Sequence, residues 1–208
     1  MDALAHHFEQ LYRTRGDPWQ VSVAWYERRK RALLLAALSR ARYGHAFEAG
    51  CGAGDMTVLL AQRCDRVSAV DVSTTAAFKC RERADAQQAA GVAVRALRLP
   101  EQWPAVPREG FDLAVVSEVA YYFDDDRLAR FLARLLHSLK PGAELIACHW
   151  RRDFADRLQP TDALHQRIAA QPGLSPLLHH LEDDFRLDAW HYQPLQEPAD
   201  DRRLHPRA

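Results

Sequence analysis

The sequence predicts an α/β fold, a mostly parallel, doubly wound sheet with helices on both faces, entered through two helices and closed by a β-hairpin. Three features carry that expectation. From residue 42 onward short apolar segments alternate with helical ones, the pattern that builds a parallel sheet. The first such segment runs into a glycine-rich turn and then a helix. A length of 208 residues, against the roughly 150 of a typical domain, allows one domain with an elaboration.

In chain order, Leu4, Phe8, Leu11 and Tyr12 recur at helical spacing, predicting a helix over Ala3–Tyr12 that ends before Gly16-Asp17-Pro18. A second helix is expected over Tyr26–Ser39, with four cations, Arg28 to Arg31, in its first half. Strands are predicted over Arg42–Glu48, Arg66–Asp71, Val92–Leu97, Phe111–Ser117 and Ala143–His149, with helices between them, the first starting at Met56–Ala61. After the fourth strand Leu128, Phe131, Leu132, Leu135, Leu136 and Leu139 form one apolar helical face with Arg127, Arg130 and Arg134 opposite. The acidic run Asp124–Asp126 reads as the cap of that helix, and Pro141-Gly142 as its end. Asp162–Ala170 reads as a helix, Leu177–Glu182 and Phe185–His191 as a hairpin, and the residues from Pro194 as a loosely held tail. The expected organisation is a single domain over 1–208, with a helical lid over 1–40, a ligand-binding core over 41–150, a helix and hairpin over 151–193 and the tail over 194–208.

Composition removes several classes. Apolar residues make up 48% and charged residues 27%, which excludes collagen-like and wholly disordered chains. Lys plus Arg number 28 and so do Asp plus Glu, so no overall positive field attracts nucleic acid or anionic lipid. The longest apolar run, Ala32–Leu38, falls far short of the roughly 20 residues of a membrane span, and the first residues lack a secretory pattern. A cytoplasmic protein without membrane or nucleic-acid partners is therefore expected. Cys51, Cys64, Cys80 and Cys148 show no paired spacing, so reduced thiols and no metal site are expected.

The chemistry gathers at Glu48-Ala49-Gly50-Cys51-Gly52-Ala53-Gly54-Asp55. Glycines between strand and helix let a ligand approach the backbone closely. The dinucleotide fingerprint needs a small residue where Asp55 stands, and a carboxylate there opposes a pyrophosphate. A cationic, phosphate-free ligand suits the loop better, and S-adenosylmethionine has that character. Asp71 ends the second strand 21 residues beyond Gly50, where a carboxylate can accept hydrogen bonds from both ribose hydroxyls. The adenine is expected near Arg98-Leu99 at the end of the third strand.

Together with Asp17-Pro18-Trp19, Tyr26-Glu27-Arg28, Val70-Asp71-Val72, Phe111-Asp112-Leu113, Ser117-Glu118-Val119-Ala120-Tyr121-Tyr122 and Leu139-Lys140-Pro141-Gly142, the loop resembles class I methyltransferases of the nodulation protein S family over residues 8–150. That resemblance implies a Rossmann-like sheet of seven strands, S-adenosylmethionine as methyl donor, and the N-terminal helices as a lid. It places Trp19 and Arg28 over the methionine end of the donor, the guanidinium on its carboxylate, and Glu48, Gly50, Cys51, Gly52, Asp71, Val72, Leu99 and Ser117 around the rest. Arg98, Asp55 and Ala143 depart from the family pattern.

Methyl transfer from a sulfonium needs alignment in a dry pocket more than it needs side-chain chemistry. The residues expected beside the acceptor are Glu118, just beyond the fourth strand, Tyr122, and His149 at the end of the fifth, which can titrate near neutral pH. The expected acceptor is a small polar molecule, an amine or amino sugar by family resemblance. Two alternatives stand beside it. One is a nucleic-acid methyltransferase, disfavoured by the charge balance and by Ser117-Glu118-Val119-Ala120 in place of an Asn or Asp followed by two prolines. The other is a donor-binding protein without turnover.

Overall fold

The computed structural model describes residues 3–195, so most of the tail read over 194–208 lies outside the described residues. Two helices come first, α1 (Ala3–Arg15) and α2 (Trp25–Ala37). There follow β1 (Tyr43–Ala49), α3 (Thr57–Ala61), β2 (Cys64–Asp71), α4 (Thr74–Ala86), β3 (Val92–Ala96) and β4 (Phe111–Ser117). A single 3-10 turn over Ala120–Tyr122 leads into α5 (Asp125–His137), β5 (Leu139–Trp150), α6 (Thr161–Ala169), β6 (Leu174–Leu181) and β7 (Phe185–Tyr192).

The seven strands form one sheet in the order β3-β2-β1-β4-β5-β7-β6. The first five are parallel, and β7 enters antiparallel between β5 and β6. This is the doubly wound sheet that the alternation predicts, with the terminal hairpin as its edge. Strand order reverses at β1, between β2 and β4, and in open α/β sheets the crevice outside the carboxyl ends of those strands holds ligands.

Helices cover both faces, so the central strands read as nearly continuous apolar runs, and Phe111–Val116 of β4 is buried throughout. One core joins Phe47, Phe111, Leu128, Phe131 and Trp190 beneath α5 and α6. The other joins Leu34, Leu60, Val67, Ile146 and Phe185 beneath α2, α3 and α4. In α5 the predicted face, Leu128 through Leu136, is buried, and the Asp124 side chain caps the helix by accepting from Arg127 N at 2.8 Å.

One boundary differs. The helix stops at His137, and Pro141-Gly142 falls inside the span of β5. Ser138 N closes the last helical turn on the Arg134 and Leu135 carbonyls, and Ser138 O accepts from Phe111 N. Leu139 then pairs with Phe111 at once, and the Pro-Gly step is absorbed as a register shift between Phe111 and Leu113. Among the described residues no helix is long and apolar enough to cross a membrane.

Candidate active site

A cavity of about 730 Å³ opens at the carboxyl ends of β1, β2 and β4, floored by the sheet and roofed by α1, the 17–21 segment and α2. The glycine loop forms its edge. Gly50 lies at φ +74°, where a Cβ would stand 3.0 Å from Val119 Cβ. Gly52 lies at φ +53°, and a Cβ there would stand 2.7 Å from Tyr12 Oη. The loop thus needs glycine both for its turn and for the close seat of α1 upon it.

Asp71 is 9% exposed at the tip of β2. One of its oxygens accepts from Gly52 N at 2.9 Å, the other from Ser73 N at 2.9 Å. Burial raises its pKa, while the amide hydrogen bonds oppose the rise. Glu48, wholly buried at the end of β1, accepts from Thr57 Oγ1 at 2.6 Å, and burial pushes its carboxyl well up. The Cys51 thiol is raised by its hydrogen bond with Cys80 and by burial.

The two N-terminal helices are tied down by carboxylates. From α1, Glu9 accepts from the Ser73 and Thr75 hydroxyls at 2.8 and 2.7 Å and from Thr75 N at 3.1 Å, which seats α1 on the first turn of α4. From α2, Lys30 is 4% exposed and donates to Glu27 Oε1 at 3.0 Å and to Glu118 Oε1 at 2.6 Å. Burial alone would lower the Lys30 pKa, but Glu118 and Glu27 outweigh it and hold the ammonium charged. Glu118 also accepts from Tyr121 Oη at 2.5 Å and Trp150 N at 3.0 Å, and its backbone sits at φ +56°. That left-handed conformation costs of order 1–3 kcal/mol in a residue other than glycine, and the three hydrogen bonds oppose it.

Beside Glu118 the wall is aromatic. Tyr122 meets Phe8 edge-on with centroids 4.8 Å apart and Phe154 at 5.7 Å, and Phe154 stacks on Trp150 at 5.8 Å. His7 and Asp156 approach to 3.4 Å across the rim. Burial raises the pKa values of Tyr122 and Glu27.

Most of the residues singled out from sequence come together here: Trp19, Glu48, Gly50, Cys51, Gly52, Asp71, Val72, Leu99, Ser117, Glu118 and Tyr122 all line the cavity. Two do not. Arg28 points outward from α2 over the exposed Trp25 ring at 5.9 Å, because helical phase turns Glu27, Lys30, Arg31 and Leu34 inward instead. Of the arginines of α2, Arg31 faces the cavity, steadied by Val21 O at 2.7 Å. His149 has no exposed surface and lies behind the wall, because its ring points from β5 into the core toward α6. Burial and the neighbouring His165 hold its pKa well below the usual value, so it is not a base at the cavity.

The charge attributed to Asp55 also changes. Arg83 Nη1 pairs with it at 2.9 Å, so it does not act on the loop as a bare carboxylate. Lys30 was not legible as a site residue, since four consecutive cations on a helix read as a solvated face. The signal that could have found it is the heptad-like spacing of Glu27, Lys30, Arg31 and Leu34.

The chain matches the family profile of Nodulation protein S (NodS) over residues 6–159. It is 34% identical over 132 residues to a Nodulation protein S from Rhizobium tropici, an overlap of 62% of this chain and 53% of that protein. The chain thus spans about half the length of that relative. A Pseudomonas syringae protein solved as a proposed methyltransferase shares 42% identity with a TM-score of 0.69, covering 81% of this chain and 99% of that one. The N-methyltransferase NodS of Bradyrhizobium japonicum WM9, solved with S-adenosyl-L-homocysteine, has the same fold, with a TM-score of 0.79 at 23% identity over 92% of this chain and 99% of that one.

Proposed function

This chain belongs to the nodulation protein S family, and from that premise we propose that it moves a methyl group from S-adenosylmethionine to the nitrogen of a small polar amine, with an amino sugar as the first acceptor to try. The observation that carries the reading is the charge of the cavity. A chain of zero formal charge lines one site with eight Asp or Glu and four Lys or Arg, and with Asp55 paired to Arg83 and Asp184 to Arg152 from outside the lining it stays mildly acidic. Such a lining favours ligands bearing sulfonium and ammonium groups and opposes phosphorylated ones, nucleic acid included.

The residues present fit the donor. Asp71 has lone pairs left for ribose hydroxyls after taking two amides. Val72 and Leu99 offer an apolar seat for the adenine, and Arg31 offers a partner for the donor carboxylate. When bound, the donor supplies a methyl made electrophilic by its sulfonium.

The contribution of the chain is placement. Glu118 already accepts three hydrogen bonds, so its carboxylate is held in one place and serves to orient the amine. Glu27, raised by burial and facing the same cavity, is the carboxylate best poised to take the proton that the ammonium loses before attack. Tyr122, Phe8 and Phe154 exclude water from the line of attack.

Isothermal titration with S-adenosylhomocysteine, with NAD as control, tests the donor site, and mass-spectrometric detection of methylated amines tests turnover. Binding of the homocysteine product with NAD silent, followed by methylation of an amine, is the expected result. Absence of product binding would refute the donor assignment, and binding without turnover of any amine would leave a donor-binding protein.

A further inference from the structure

Behind the cavity wall lies a buried polar chain that the proposed chemistry does not use. His149 of β5 and His165 of α6 have no exposed surface, and Asp188 of β7 is 2% exposed. Ala120 N donates to His149 Nε2 at 3.3 Å, His149 Nδ1 lies 3.0 Å from His165 Nε2, and His165 Nδ1 lies 2.8 Å from Asp188 Oδ2. Asp188 also takes Arg186 Nε at 2.7 Å and meets His179 at 2.5 Å.

The direction of this chain follows from its first member. A backbone amide can only donate, so His149 Nε2 carries no proton and its Nδ1–H must point to His165 Nε2. His165 then carries its proton on Nδ1 and donates to the carboxylate. Both imidazoles are neutral Nδ1–H tautomers, and three strands or helices are tied to one amide.

That amide begins the 3-10 turn bearing Tyr121 and Tyr122, two residues after Glu118 with its left-handed backbone. Apolar side chains of similar volume would fill the same space without the need for matched partners, so a fully connected polar chain here serves position. We infer that the His149–His165–Asp188 chain sets the acceptor wall, with His165 as a positioning residue that fixes where Glu118 and Tyr122 stand, while leaving the donor side alone. The inference rests on the amine-methylating reading for its kinetic consequence, though not for its tautomers.

Two measurements on the full chain test it. In the wild type, nitrogen-15 NMR of the histidine rings should show His149 and His165 as neutral Nδ1–H tautomers, and an Nε2–H tautomer or an imidazolium at either would overturn the inference without any variant having to fold. In His165→Leu, checked by circular dichroism, the Ala120 amide signal should shift, and the KM for the amine should rise about tenfold, the equivalent of one lost hydrogen bond, while affinity for S-adenosylhomocysteine stays within about twofold. His165→Gln, which keeps an acceptor for His149, should recover most of that KM. A folded His165→Leu with unmoved Ala120 signal and wild-type KM would refute the positioning role. If the wild type methylates no amine, the methyl-transfer reading fails by itself, and the ring tautomers and the Ala120 amide still decide the inference.

Discussion

Replacing Lys30 by Met tests whether one buried ammonium fastens α2 to the sheet. Its Nζ lies 3.0 Å from Glu27 and 2.6 Å from Glu118, and its side chain is 5% exposed. Methionine keeps the apolar stem and removes the charge. Removing one partner of a buried pair costs about 3–5 kcal/mol when the remaining charge is left wholly uncompensated. Two features reduce that figure here. Glu118 keeps the Tyr121 hydroxyl and the Trp150 amide, and Glu27, already raised by burial, can take up a proton. The expected loss is therefore about 2 kcal/mol, or about 4–8 °C in Tm for a domain of this size. Thermal unfolding of the wild type, Lys30→Met, Glu118→Gln and the double variant measures it. Because the double variant removes the stranded carboxylate along with its partner, it should melt well above the sum of the single losses. A Lys30→Met protein melting within about 1 °C of the wild type, or strictly additive losses in the double, would show that this ammonium does not hold α2.

Asp71→Ala should weaken S-adenosylhomocysteine binding by about 1–3 kcal/mol in isothermal titration, the range for hydrogen bonds to a charged group, and unchanged affinity would remove Asp71 from the ribose. Arg31→Ala should raise the dissociation constant about tenfold, as for a lost charge-assisted hydrogen bond, while Arg28→Ala leaves it nearly unchanged. Equal effects would mean that the phase of α2 has been misjudged. Burial holds the His165 pKa below its usual value, with Arg186 opposing its protonation and Asp188 and Asp162 favouring it. The unfolded imidazole, near about 6.5, then binds a proton that the folded one refuses, so the contribution is complete above that pH and is lost as pH falls from there through the folded value. The gap in urea midpoint between wild type and His165→Gln should accordingly narrow from about pH 7 to about pH 5, and a constant or widening gap would contradict a neutral His165.

The order of strands and helices was legible because each central strand is buried on both faces and each covering helix on one, so apolar period alone separates them. The end of α5 was not, since Pro141-Gly142 reads as a helix stop and only the pairing of Leu139 with Phe111 turns it into strand. The start of β6 at Leu174 rather than Leu177 was hidden by Pro176, which the edge strand tolerates beside an irregularity. At the site, the glycine loop and Asp71 could be read because their roles are set by backbone within a few residues. Arg28 and His149 were misplaced because their roles depend on which way a side chain faces, a matter of helical phase in one case and of packing against α6 in the other. The ammonium of Lys30 depends on a carboxylate 88 residues away, and no local pattern announces such a pair.

The Glu9 anchor has a consequence for speed. It consists of two hydroxyls and one amide near the surface, whereas the Lys30 anchor is interior. Of the two clasps, Glu9 is the more open to water, and Tyr12, seated on Gly52, shares its helix. On the proposed reading, spent cofactor held beneath that helix would depart no faster than the clasp opens, however quick the bond exchange below it. The ceiling on turnover would then sit, on that same reading, at a residue outside the cavity lining, where pace could be tuned without disturbing what is recognised.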